Sequence, residues 1–385
     1  MGSVMKRIAL LGSTGSIGLQ TLEVVRLFSE RFSIVALGAG RNTDLLAKQV
    51  EEFQTRVVSW QWTGNEEQRE ALLDRLHHCS LMSLEEMACH PDVDLVVVAT
   101  SGKAGLAPTL SAIRAGKQVA LANKEVLVMA GEIVMAEAKA KEVEILPVDS
   151  EHSAIWQCLR GENREQVARL ILTASGGPFR GYSLEQLSAI TPEQALQHPT
   201  WQMGEKVTID SATLMNKGME IIEAHWLFGL PLSHIEVLIH PRSIVHSMVE
   251  FVDGSVKAQL SMPDMRLPIQ YALFYPDRLY NPQLRRIGWD RLSSLEFEPP
   301  DLTRFPCLRL AREAGERGGT YPAVLCAADE VAVGLFLSHR IGFLDIFRLV
   351  EESLEQHRSV SSPSVGDILV ADVWAREYAE NWRAK

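Results

Sequence analysis

The sequence predicts an α/β chain: a doubly wound parallel sheet at the N-terminus, a central α+β region, and a C-terminal four-helix bundle. Three observations carry that expectation. Short Val/Ile/Leu-rich runs alternate with amphipathic segments over the first 150 residues. Asp253-Gly254 sits between two alternating runs, a hairpin signal. Past Cys307 the text turns helical in four successive stretches.

The candidate strands of the first region are residues 7–11, 32–37, 56–60, 95–100, 118–122 and 143–148, with amphipathic helices at 19–28 and 43–53 between them. Nearly unbroken apolar strands separated by helices read as a parallel sheet covered on both faces. After Asp149 the texture changes. Residues 168–174 look like a buried strand, 192–204 are irregular, and 212–228 read as one helix with Leu214, Ile221 and Phe228 at seven-residue intervals. Residues 235–240, 244–252 and 255–261 read as strands, the last two joined through a type I′ turn. Helical patterns at 308–317, 322–338, 343–356 and 365–382 close the chain. The expected domains are 1–149 for a dinucleotide, 150–280 for catalysis and dimerisation with a lid loop at 197–205, a linker at 281–306, and a helical domain at 307–385.

Composition excludes several function classes. The 385 residues carry 49 acidic against 38 basic side chains, a formal charge of −11, which argues against nucleic acid or an anionic membrane as partner. Five scattered cysteines with no C-x-x-C argue against a disulfide framework or zinc ribbon and for reduced thiols. No apolar run approaches the ~18 residues of a membrane span. A strand begins almost at once, Met5 reads as a natural start, and no signal or transit peptide is expected. The expected location is the cytoplasm.

The first strand runs into Gly12-Ser13-Thr14-Gly15-Ser16-Ile17-Gly18 and then a helix. Glycines there permit a tight turn and close backbone approach, and a helix N-terminus offers amides to a pyrophosphate, as in a Rossmann-type domain. An ordinary strand-to-helix turn is the alternative. After the second strand an NAD enzyme places an acid for the ribose 2′-hydroxyl. Here the text is Gly40-Arg41-Asn42, so Arg41 favours NADP(H) through a 2′-phosphate unless it is merely solvated. Asp44 is expected to cap the next helix.

Asp149-Ser150-Glu151 ends another strand, at the sheet edge where α/β enzymes bind ligands. In an extended segment Asp149 and Glu151 project to one side, to share a proton or hold a hard cation. A capping acid plus a surface acid would explain them equally well. Asn123-Lys124-Glu125 marks a further strand end, with Lys124 either a substrate contact or a solvated first-turn residue. Ser175-Gly176-Gly177 could nest an anion or be a plain turn. His198 to Gly204, with Trp201 and Met203, places large side chains in a loop, the mark of a lid or of a packed loop. Ser211 stands at the expected N-cap of helix 212–228, with Asn216 and Glu220 on one face. A Lys217–Glu220 helix pair is the plainer account of that stretch, but leaves Ser211 and Asn216 unexplained.

Seven segments in order, GSTGSIG (12–18), GRN (40–42), LANKE (121–125), PVDSEHSA (147–154), TASGGPF (173–179), HPTWQMG (198–204) and DSATLMNKGMEIIEA (210–224), resemble the 1-deoxy-D-xylulose 5-phosphate reductoisomerase family. The likeness extends to RFPCLRLA at 304–311 and the helical tail, and so to essentially the whole chain. It implies that Asp149, Glu151 and Glu220 are the ligands of a divalent metal, Mg²⁺, Mn²⁺ or Co²⁺. It implies phosphate contacts from Ser175, Ser211, Asn216 and Lys217, and substrate contacts from Lys124, Ser150 and His198, with Trp201 and Met203 in a mobile lid. The same resemblance assigns NADPH to Thr14, Gly15, Ser16, Ile17, Gly40, Arg41, Asn42, Asn123, Glu125, Met203 and Gly204. Among these, Lys124, Asp149, Glu151, His198 and Glu220 would be catalytic. Arg41 stands where some members carry Lys, and Ala174 and Thr200 also vary among members.

The activity implied is metal- and NADPH-dependent rearrangement and reduction of 1-deoxy-D-xylulose 5-phosphate to 2-C-methyl-D-erythritol 4-phosphate, a step of non-mevalonate isoprenoid synthesis. A homodimer is implied as well. The alternatives are another NADP-linked two-domain sugar dehydrogenase, which needs no carboxylate triad, and a non-catalytic NADPH-sensing module.

Overall fold

A computed structural model describes residues 5–61, 66–197, 201 and 203–383. By its contacts the chain forms two compact units: residues 1–126, 134–149 and 265–284 in the first, residues 127–133, 150–264 and 285–385 in the second.

Among the described residues the first unit holds seven strands: β1 (Lys6–Leu11), β2 (Phe32–Ala39), β3 (Val57–Trp60), β4 (Ser80–Leu81), β5 (Leu95–Val98), β6 (Gln118–Leu121) and β7 (Ile145–Pro147). They lie in the order β4-β3-β2-β1-β5-β6-β7, every pair parallel. Residues 95–98 are all but inaccessible, as an unbroken Leu-Val-Val-Val strand requires when both faces are covered. The strand order reverses at β1, which pairs with β2 on one side and β5 on the other, so ligands are expected beyond its carboxyl end.

The helix Arg266–Phe274 also belongs to this unit. The Phe274 ring meets Phe28 and Phe32 edge-on at 4.8 and 4.7 Å, and Lys6 Nζ donates to the Leu273 carbonyl at 2.8 Å. A domain of 150–280 read along the chain therefore differs from the division seen. Linear segmentation cannot detect a late helix whose apolar face belongs to an early one.

In the second unit β8 (Val167–Ala174), β9 (Ile235–Ile239), β10 (Val245–Phe251) and β11 (Val256–Leu260) form a sheet of order β11-β10-β8-β9. Only β8 and β9 are parallel. The β10–β11 loop is not the expected type I′ turn. The Gly254 amide donates to the Phe251 carbonyl, and Gly254 but not Asp253 has positive φ (+84°), the pattern of a type I turn closed by a left-handed glycine.

The helices Cys307–Arg317, Tyr321–Leu337, Asp345–Gln356 and Val365–Asn381 pack on one another as the C-terminal bundle. They cluster with the second unit instead of standing apart, because Cys307–Arg317 packs on the helix Met215–Phe228. A Cβ on Gly218 would lie 2.4 Å from that of Ala311, which shows how close the two helices come. The segment 285–306 is largely irregular, with one bridge from Glu298 to Ile239.

Candidate active site

In the first unit the β1 turn has the geometry that its glycines allow. Gly12 has φ +97°, and a Cβ there would sit 2.3 Å from the Ala99 carbonyl oxygen. A Cβ on Gly18 would sit 2.2 Å from the Gly12 carbonyl oxygen, so the third glycine is what lets helix Ser16–Leu27 close on the turn. Gly15 caps that helix without a side-chain partner, and no acid occupies the first turn. This N-terminus suits an anion.

At the end of β2, Arg41 is exposed and Asn42, rather than the expected Asp44, caps helix Thr43–Phe53: its Oδ1 accepts from the Leu45 amide at 3.2 Å. Asp44 lies two residues past the cap position and faces solvent beside Arg75. Asn123, 2% exposed, caps helix Lys124–Ala140 and donates to Thr100 Oγ1 (3.2 Å) and the Gly102 carbonyl (2.9 Å), tying the ends of β5 and β6 together. Lys124 opens that helix, with Glu125 beside it in the first turn. Lys124 Nζ lies 2.5 Å from Asp149 Oδ2, both side chains mostly buried, so the lysine is an ion-pair partner and not a solvated residue.

The second unit brings together residues far apart in sequence. Ser150 begins the helix Ser150–Cys158, so Glu151 projects from a first helical turn and not from the extended segment expected. Ser150 Oγ donates to Glu151 Oε2 at 2.5 Å. Lys217 Nζ donates to Glu151 Oε1 at 2.7 Å and to Glu220 Oε2 at 2.5 Å, while Asn216 Nδ2 donates to Glu220 Oε1 at 2.5 Å. Lys217 and Glu220 are 4% and 0% exposed. Burial lowers the Lys217 pKa, but attraction and hydrogen bonds from Glu151 and Glu220 outweigh it, and the net shift is upward. Two acids around one buried ammonium carry surplus negative charge, the donor set a hard divalent cation prefers. Asp149 is two residues from Glu151 in the chain.

Ser211 is not an N-cap. It lies in the last turn of helix Glu205–Thr213, Leu214 turns left-handed (φ +63°), and a second helix begins at Met215. The apolar period runs on through the break because Ala212, Leu214 and Met215 are all buried, so periodicity alone joined the two helices. Ser175 follows β8 and its Oγ accepts from the Gly177 amide at 3.2 Å. A Cβ on Gly177 would lie 2.9 Å from the Ser211 carbonyl oxygen, which puts the Ser175 turn against Ser211.

Of the lid residues, His198, Pro199, Thr200 and Gln202 lie outside the described residues. Trp201 is half-buried, its ring 6.2 Å from that of His246 on β10. His246, which the sequence reading did not single out, is buried and shares a 2.8 Å hydrogen bond with Ser261. Burial, with repulsion from Lys217 and His240, pushes its pKa to about 4 despite the Ser261 contact, so it is neutral at physiological pH. His152 and Glu223 were also missed. Both are fully buried; His152 Nε2 lies 3.0 Å from the Glu220 carbonyl and Nδ1 3.4 Å from Glu223. The spacing Glu220-x-x-Glu223 on one helix face was the available signal.

Three family models match: the 1-deoxy-D-xylulose 5-phosphate reductoisomerase model over residues 8–131, its C-terminal domain over 145–228, and the DXP reductoisomerase C-terminal domain over 260–378. The 1-deoxy-D-xylulose 5-phosphate reductoisomerase of Heliobacterium modesticaldum is 56% identical over 98% of this chain and 97% of its own. That of Caldanaerobacter subterraneus subsp. tengcongensis is 55% identical over 97% and 98%. Among solved structures, the Zymomonas mobilis enzyme in complex with NADPH superposes with a TM-score of 0.89 at 42% identity, covering 97% of this chain and 98% of that one. A DOX-P reductoisomerase in complex with NADPH, fosmidomycin and magnesium gives 0.92 at 39% identity over 98% of each. Identity above half along nearly the entire length, on the same fold, decides the assignment: this chain belongs to the 1-deoxy-D-xylulose 5-phosphate reductoisomerase family.

Proposed function

We propose that the site formed around Lys217 carries the family's reaction, with the roles of individual residues set out below. The chain is an NADPH- and divalent-metal-dependent oxidoreductase that converts 1-deoxy-D-xylulose 5-phosphate to 2-C-methyl-D-erythritol 4-phosphate in the non-mevalonate isoprenoid pathway. The observation that carries the residue-level reading is the buried Glu151–Lys217–Glu220 arrangement with Asn216 on its flank. Two acids around one buried lysine leave a surplus negative charge that a bound divalent cation would balance.

Asp149, Glu151 and Glu220 fit a hard cation as an all-oxygen set, and the glycine turn with Arg41 fits NADPH. When bound, the metal supplies Lewis acidity and NADPH the hydride. The chain's own residues do the rest. Glu151 and Glu220 are held at fixed positions by Ser150, Asn216 and Lys217, so the ligand oxygens need little reorganisation. Ser175 and Ser211, brought together by the Gly177 contact, with Asn216 and Lys217, form the phosphate end of the substrate site. Lys124, Ser150 and His198 contact the sugar oxygens. Trp201 closes the loop over the substrate and excludes water. Thr14 to Ile17, Gly40 to Asn42, Asn123, Glu125, Met203 and Gly204 face the cofactor, Asn123 and Asn42 mainly by capping the helices that approach it.

The first 149 residues serve the cofactor and the region after Ser150 the substrate. Among the described residues no helix is long and apolar enough to cross a membrane. The working form is a cytoplasmic homodimer, checked by sedimentation and cell fractionation. The experiment that tests the function follows NADPH consumption with 1-deoxy-D-xylulose 5-phosphate, with and without Mg²⁺ or Mn²⁺. Turnover unaffected by a chelator would defeat the metal-site reading.

A further inference from the structure

We propose that Lys206, Asp210 and Asp329 form a proton-sharing clamp that fixes helix Glu205–Thr213, making Asp329 a positioning residue for Ser211. The proposal rests on the functional reading above for the importance of that helix. Its evidence lies elsewhere in the molecule, among side chains that the reaction does not touch.

Lys206 stands in the first turn of the helix and Asp210 one turn later, with Nζ 2.5 Å from Asp210 Oδ2. The second acid comes from the C-terminal bundle: Asp329, on helix Tyr321–Leu337, has Oδ2 2.9 Å from the same Nζ. Asp210 and Asp329 are 2% and 0% exposed, and the Lys206 side chain is three-quarters buried. Two carboxylates and one ammonium would leave an uncompensated charge in the interior, where an unpaired ion is heavily penalised. One bound proton makes the cluster neutral, as in dyads of neighbouring carboxyls. Asp210 Oδ1 and Asp329 Oδ1, both buried, accept no hydrogen bond from the described residues, and a proton held between the two carboxyls would supply one.

Two further side chains among the described residues lie against the cluster, and neither carries a charge. Cys307 faces the pair from helix Cys307–Arg317, and burial together with both acids holds its thiol well above the usual range, hence neutral. Met219 Sδ, on the next helix, lies 3.9 Å from Lys206 Nζ. Burial, then repulsion from Asp329, raise Asp210 well above the ordinary carboxylate value against the pull of Lys206.

The consequence is positional. Lys206 is two residues past Gly204, the helix N-cap, and Asp210 immediately precedes Ser211. A buried contact to the C-terminal bundle thus anchors, through Lys206 and Asp210, the helix that carries Ser211. Fixing such a helix is what a substrate site gains from a rigid support.

The test uses the full-length enzyme. A carboxyl whose folded pKa is raised gives stability that is complete at low pH and lost as pH rises toward that folded value, because unfolding releases its proton. Relative to Asp329→Asn, the wild-type unfolding constant should therefore climb with pH, by up to about tenfold per unit, from about pH 4, the ordinary carboxylate value, upward. Parallel pH profiles for the two proteins would overturn the shared proton. Asp329→Leu should raise KM for 1-deoxy-D-xylulose 5-phosphate about tenfold with a smaller change in kcat, and Asp329→Asn should restore KM. An unchanged KM in a folded Leu variant would overturn the positioning role. If that variant does not fold, Lys206→Met gives the same KM readout, and an unchanged KM there is equally fatal. Failure of the wild type to consume NADPH with this substrate would defeat the functional reading and leave the pH comparison intact.

Discussion

Replacing Glu220 by Gln removes one negative charge and almost no volume. In the structure Glu220 is fully buried and accepts two hydrogen bonds, both at 2.5 Å, from Asn216 Nδ2 and Lys217 Nζ. A Gln side chain has a single acceptor oxygen, so whichever way the amide is turned, its NH₂ faces one of those two donors. One charge-assisted hydrogen bond is lost, about 1.5–3 kcal/mol. The proposed metal site also loses one of three carboxylates. We expect kcat to fall at least about a hundredfold, or ~2.7 kcal/mol of transition-state stabilisation. The assay is NADPH consumption at saturating 1-deoxy-D-xylulose 5-phosphate across an Mg²⁺ titration, paired with thermal unfolding with and without Mg²⁺. The variant should show both the lower kcat and a weakened stabilisation by the metal. A kcat within about threefold of wild type, with the same Mg²⁺ dependence, would refute the assignment of Glu220 as a ligand.

Arg41→Ala should raise KM for NADPH about tenfold, ~1.4 kcal/mol, while leaving NADH kinetics nearly unchanged; equal effects on both cofactors would show that Arg41 does not read a 2′-phosphate. Gly18→Ala would place a Cβ 2.2 Å from the Gly12 carbonyl oxygen, and should lower stability by about 1–3 kcal/mol and weaken NADPH binding, measured by calorimetry. Wild-type values for both would contradict the close packing at the turn. Dialysis against a chelator should abolish turnover, and Mg²⁺ or Mn²⁺ should restore it; Zn²⁺-specific recovery would point to a different donor set. His246 sets a pH dependence of known sign. Its folded pKa is about 4 against 6.5 unfolded, so its share of stability is complete above pH 6.5 and fades as pH falls toward 4. The maximum is about 3 kcal/mol, and His246→Gln should flatten the acid limb of the unfolding profile over that window.

Much of this was legible in the sequence, for stated physical reasons. Unbroken Val/Ile/Leu runs such as Leu95–Val98 announce strands buried on both faces, and the glycines at 12, 15 and 18 announce a turn that only they can make. The carboxylates and Lys217 were visible as residue types, but only the family resemblance brought them to one site, because Glu151 and Lys217 are 66 residues apart and no local rule joins them. Local patterns misled where tertiary packing decides. Leu214 adopts a left-handed conformation with no glycine or proline to mark it. Glu151 enters a helix directly after Asp149. Asn42 takes the cap that Asp44 was expected to fill. His152, Glu223 and His246 escaped for a different reason: beyond the Glu220-x-x-Glu223 spacing no local pattern marks them, and their partners reveal what they do.

The return of residues 265–284 to the first unit bears on how the protein is made. A ribosome releases the strands and helices of residues 6–147 long before Phe274 emerges, and until then the rings of Phe28 and Phe32 lack their partner. Folding of the first unit is thus coupled to synthesis of residues 150–264 of the second, and a nascent chain paused before residue 274 presents an apolar patch to chaperones. A fragment ending at residue 149 inherits that patch permanently. Appending Met265–Leu284 through a short linker is the way to obtain the first unit by itself.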